Sequence, residues 1–190
     1  MMGAWRVLTA KTVVAECDRI QWRLDPLVGV GPLRFGMMYE DVVEALDGFL
    51  EPSAESTRHY GHVLSDDFYL PHSSNNSALT VYYDAERLVC VVVNALRGPQ
   101  VTLDEMSLVG RLPSELEADF VKYTATHGYD LRCGQYGDPG SEELGVVLRA
   151  QRAGDVVLSR PVLVAPSWAE RCGDVSEGRI PEAEWRDRHW

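Results

Sequence analysis

A short pattern occurs twice in this chain of 190 residues. The first copy is Leu33-Arg34-Phe35-Gly36-Met37, followed by a helical pattern from Tyr39. The second is Leu108-Val109-Gly110-Arg111, followed by one from Ser114. Each sets a large apolar residue before a glycine and then a capping signal before an amphipathic run. The glycines lie 74 residues apart (110 − 36), a length that suits one small α/β unit. A repeat at this spacing limits the architecture more than composition does, because each copy must build the same local shape.

The periodicities between the copies suggest an order of elements. Ile20 to Leu24 alternates apolar and polar residues and reads as a strand, ended by Pro26. Gly29, Gly31 and Pro32 mark a turn-rich loop. Val42, Val43 and Leu46 share one helical face over 39–47, with Gly48 at its end. Residues 50–62 are polar and weakly patterned. Strands are expected at 62–70, 78–84 and 87–95; the last is nearly continuous in valine, as a strand buried on both faces requires. In the second half, Thr102 or Asp104 is expected to cap a short helix reaching Leu108. A longer helix over 114–126 follows, stopped by Gly128. Strands are expected at 129–134, 144–150 and 155–165. The organisation is then a leader (1–19), a first α/β unit (20–98), a second (99–165) and a charged, tryptophan-rich tail (166–190).

The two Leu-x-x-Gly-like openings, each leading into a capped helix, resemble those of the BamE and β-lactamase-inhibitor-protein group. The likeness rests on about fifteen residues per copy, and Arg111 stands where the first copy has Met37. The resemblance implies an α+β fold: two tandem helix–loop–helix plus antiparallel-sheet units, sharing or adjoining one sheet. It also implies a sheet that grips a protein.

The net charge of −11 opposes binding to phosphate backbones and to anionic membranes. It favours a basic protein partner, steered in by the field of the whole surface. Cys17, Cys90, Cys133 and Cys172 are scattered without a Cys-x-x-Cys pair, which argues against a thiolate metal site and for a reducing compartment. The first nineteen residues lack an apolar stretch of signal-peptide length, so the expected location is the cytoplasm.

No motif announces catalysis. Pro32 removes a backbone donor from the glycine loop, and its spacing is not that of a phosphate cradle. His59 and His62, with Asp66, Asp67 and His72, form the only ligand-like group, but Tyr60-Gly61 argues against the helix that would align the histidines. A Cys133–His127 dyad has no supporting pattern. Neither a cofactor nor a metal is expected.

The segment Ser65–Ser77 mixes acids with aromatics before a Ser/Asn-rich link. Asp66, Asp67, Phe68, Tyr69 and His72, with Tyr82 on the following strand, are the expected partner-binding residues. Tyr82 and Tyr83 should face opposite sides of their strand, one inward and one outward. The expected function is a binding protein of the immunity or inhibitor kind that occludes a basic toxin or enzyme. The alternatives are a small-ligand binder or enzyme with a sheet-face pocket, and a structural module pairing through its strands.

Overall fold

The computed structural model describes residues 13–53, 58–60 (backbone), 62–73, 77–133, 137–153 and 155–169. The first half contains β1 (Gln21–Asp25), β2 (Gly29–Val30), β3 (Leu33–Arg34), α1 (Tyr39–Leu46), β4 (Glu51–Pro52), β5 (Arg58–Tyr60), β6 (Val63–Tyr69), β7 (Leu79–Asp84) and β8 (Arg87–Val93). The second contains β9 (Gln100–Leu103), β10 (Met106–Ser107), α2 (Pro113–His127), β11 (Arg132–Cys133), β12 (Pro139–Ser141), β13 (Val146–Ala153), β14 (Val156–Val164) and α3 (Pro166–Ala169).

These strands form two sheets. The smaller runs β10-β9-β1-β2-β3. The larger runs β11-β12-β13-β14-β8-β7-β6-β4, with β5 also paired to β6. Both join the halves. β1 and β9 pair in parallel, with Trp22 opposite Val101. β8 and β14 pair antiparallel, with Val92 opposite Val162.

The expected α+β fold of two helix–loop–helix units is therefore overturned. Among the described residues the chain is mostly β, with fourteen strands in the two sheets, three α-helices, one of them four residues long, and a single 3-10 turn at Glu16–Asp18. The segment before each helix is a strand hairpin rather than a helix. Residues 102–108, expected to be helical, form the β9–β10 hairpin. Val101 and Leu103 alternate into the core, and Asp104 takes a φ of 50°, which belongs to a tight turn and not to a helix cap. The glycine loop likewise closes the β2–β3 hairpin, with Val30 opposite Leu33.

One face of the large sheet packs on both long helices and on the small sheet. Phe68, Leu79, Val81, Val91 and Val93 meet Val42 and Leu46 of α1, Leu116 and Phe120 of α2, and Trp22 and Leu24 of β1. The other face holds Tyr82, Cys90, Val92, Val147, Val162 and Val164, with Trp168 of α3 against them. This second layer corrects the expectation for the tyrosine pair. Tyr82 and Tyr83 do lie on opposite faces, but both are buried, at 1% and 2% exposure. A strand buried on both faces has no outward position.

Each repeated glycine fastens its motif to the last long strand of its own half. Gly36 N–H donates to the Leu88 carbonyl, and Leu88 N–H donates back to Met37. Gly110 N–H donates to the Ser159 carbonyl, and Ser159 N–H donates back to Arg111. Both glycines sit at positive φ, 92° and 75°, where a side chain is strained. Leu-x-x-Gly-like spelling thus encodes a docking turn.

Candidate functional site

One opening lies between the β9–β10 hairpin and α2, a groove of about 720 Å³. One wall is β10, which among the described residues is the edge strand of the small sheet. Edge strands expose backbone donors and acceptors to whatever lies beside them. The other wall is a helical stripe. Leu116, Phe120 and Thr124 of α2 face the core at four-residue spacing. The neighbouring stripe, Asp119, Lys122, Tyr123 and Thr126, therefore faces the groove. Pro113 suits the first helical turn, and Gly128 at the C-terminal cap, with a φ of 74°, stops the helix.

Four carboxylates line the groove: Glu16, Asp104, Glu105 and Asp119. Asp119 is held by Arg111 at 2.8 Å. Glu16 accepts from Ser107 Oγ at 3.1 Å and from Gln100 Nε2 at 3.3 Å. Asp104 accepts from the Tyr123 hydroxyl at 2.8 Å and lies 3.5 Å from Arg23. Partial burial, followed by that hydrogen bond and the Asp104 charge, pushes the Tyr123 phenol up to about 12. The Tyr123 ring lies 4.1 Å, centroid to centroid, from His127, and Tyr129 stacks on both. His127 Nδ1 meets the Tyr123 carbonyl at 2.8 Å. The groove thus pairs an acidic rim with a braced aromatic ledge and a strand edge.

A second, smaller cleft of about 240 Å³ opens beside the start of α1 and includes Tyr39, Glu40, Asp66 and Tyr83. It is the only one of these openings to contain one of the six residues expected from sequence, namely Asp66. The other five are placed differently. Phe68 and Tyr82 are core residues at 0% and 1% exposure, so neither reaches a partner. Asp67 accepts from Thr80 Oγ1 at 2.6 Å across the β6–β7 pair. Tyr69 is half-buried at the end of β6. His72 is exposed, in a turn at a φ of 60°. Ser74, Asn75 and Asn76 of the following link, and the His59 side chain, lie outside the described residues.

Sequence reasoning assigned no binding role to Tyr123, Asp104, Glu105 or Met106. The helical spacing of Asp119, Lys122, Tyr123 and Thr126 was visible, but their opposing wall depends on a hairpin that had been expected as helix. Cys17, Cys90 and Cys133 are free thiols. Among the described residues no three His, Cys, Asp or Glu side chains come together as metal ligands, and no helix is long and apolar enough to cross a membrane. Comparison with known proteins gives no matching family model, no matching curated protein and no matching solved structure.

Proposed function

We propose that this chain is a protein-binding module that holds an extended, basic segment of its partner between β10 and α2. The observation that carries this reading is the composition of the groove: a strand edge, four carboxylates and an aromatic ledge around one opening. A strand edge supplies main-chain pairing to an added strand, and flanking pockets choose its side chains. The acidic rim and the net charge of −11 support a basic occupant and fast encounter at low salt. Tyr123 offers a large, rigid contact of the type that dominates interface energetics. An inhibitor or immunity role is the form this takes when the captured protein is an enzyme or toxin. Three free thiols support placing that encounter in a reducing cytoplasm.

The test is amide chemical-shift mapping with two synthetic peptides of equal length, one alternating lysine with valine, the other glutamate with valine. The lysine peptide should shift Glu105, Met106, Ser107 and Tyr123 together and saturably, and the glutamate peptide should not. Shifts scattered over the whole acidic surface would mean diffuse charge attraction and would sink the groove assignment.

A further inference from the structure

We propose that the small cleft beside α1 is a binding site for an alkylammonium group. This goes beyond the protein-binding reading and uses different residues.

The starting observation is the Tyr83 side chain. It is 2% exposed, and among the described residues its buried hydroxyl has no hydrogen-bond partner. Buried polar atoms are nearly always paired, so an orphaned phenol oxygen against a cleft calls for a ligand that pairs it. The cleft it lines holds the carboxylates of Glu40, Asp66 and Glu86 and the ring of Tyr39. Burial first, then Asp66, Tyr39 and Glu40, push its ionisation upward, so it stays a neutral hydroxyl.

The exposed carboxylates of Glu40 and Glu86 disfavour an anion, even beside a helix N-terminus. One donor of that terminus is answered from within, since the Met38 N–H donates to Asp41 Oδ2 at 2.9 Å, and Glu40 and Asp41 already set negative charge in the first turn. A hard divalent ion wants six or more oxygen ligands, whereas this cleft also has walls of aromatic and thioether side chains. Those walls suit an organic cation, which is attracted to ring faces as well as to carboxylates. Tyr39 and Tyr83 stand nearly edge to face, 6.3 Å apart at 65°. Met38 and Tyr39 are both part exposed, at 38% and 39%, and form the mouth. A volume of about 240 Å³ takes a headgroup with a short chain and no more. The free phenol oxygen adds a preference: it accepts an N–H, so a primary ammonium should be held better than a quaternary one.

Such a group comes from a free small amine or from a lysine side chain on another protein. A titration followed by the ring resonances of Tyr39 and Tyr83 separates them, using n-butylammonium, tetramethylammonium and Nα-acetyl-lysine-N-methylamide. Saturable binding of n-butylammonium, tighter than tetramethylammonium, is expected. Lysine amide binding as well as n-butylammonium points to a partner's lysine, and its failure beside bound n-butylammonium points to a free amine. Tyr83→Phe should weaken n-butylammonium by roughly 3- to 10-fold while the melting temperature holds or rises, since the lost hydroxyl had no partner among the described residues. Glu40→Gln, on the exposed helix start, should weaken it too. Absence of saturation, or affinity unchanged in both variants, would overturn the proposal. The peptide shifts at Glu105–Ser107 report separately on the groove, so the failure of one reading is not mistaken for failure of the other.

Discussion

Leu88 and Ser159 hold the same place in the two halves of the chain. Each exchanges a pair of backbone hydrogen bonds with the docking turn of its own half, Leu88 with Gly36 and Met37, Ser159 with Gly110 and Arg111. Ser159 adds two more through its side chain. Its Oγ donates to the Leu108 carbonyl at 2.8 Å and accepts from Arg111 N–H at 3.0 Å. The residue is 1% exposed. Ser159→Ala should therefore destabilise the protein by about 1–3 kcal/mol, because it strands a buried carbonyl and a backbone donor. Urea midpoints of wild type and variant check this, and an unchanged midpoint would show that the turn is held by its backbone alone.

Arg19 is the tie between the entering chain and the link joining the halves. Its guanidinium donates to Gly98 O and to Ala95 O, at 2.6 Å each, and the residue is 7% exposed. Lysine cannot span two carbonyls with the same planar fork. Arg19→Ala should cost about 3 kcal/mol or more and Arg19→Lys less, since hydrogen bonds to a charged donor are the stronger ones. Equal losses in thermal unfolding would show that charge, not geometry, is what matters there.

Trp168 seals the second face of the large sheet. It is 2% exposed, packs with Tyr82, Cys90 and Val164, and donates from Nε1 to Asp84 at 3.3 Å. Trp168→Ala should cost about 3–5 kcal/mol and raise binding of a hydrophobic dye. Trp168→Phe should recover much of the loss. A variant as stable as wild type would mean that this face tolerates water.

The groove tyrosine gives a pH signature. Tyr123 ionises near about 12 when folded, against about 10 in an unfolded chain. Between those values the folded protein keeps a proton that the unfolded chain releases. Stability from this group is thus fully present below about pH 10 and falls as pH rises towards about 12. Tyr83 is shifted in the same direction by its burial, so the comparison must be with Tyr123→Phe, which removes one contribution alone. Urea midpoints at about pH 9.5 and about pH 11.5 should fall more steeply in wild type than in the variant. Asp104→Asn should lower the tyrosine's ionisation without restoring it fully, because burial is the larger cause. Parallel slopes would show that Tyr123 is solvated.

Legibility in the sequence followed how local the signal was. The valine run 87–95 predicted a strand buried on both sides, and β8 lies inside the large sheet with neighbours on either edge. Helical spacing placed α1 and α2 to within about a residue. Residues 102–108 misled, because Leu103, Met106 and Leu108 in so short a segment fit a helix or a strand equally well. What decides it is the parallel pairing of Gln100–Thr102 with Gln21–Arg23, nearly eighty residues away. Two of the expected recognition residues are core residues for a related reason. Phe68 and Tyr82 lie among acids in the chain, yet each faces a packed layer, and the second layer includes Trp168, which is distant in sequence. The groove was hidden because its two walls come from separate elements, one of them misassigned.

The pairing of β1 with β9 and of β8 with β14 has a consequence for assembly. Every bond across these two seams joins a first half to a second half, and nothing in either seam requires that both belong to one molecule. Only the short stretch from Asn94 to Pro99 carries the chain from one half to the other. Two molecules that trade second halves recover all of these pairings, with Arg19 left to hold the stretch in its folded-back form. High concentration during refolding should thus favour an exchanged pair, and two separately made halves, mixed, should reconstitute one protein.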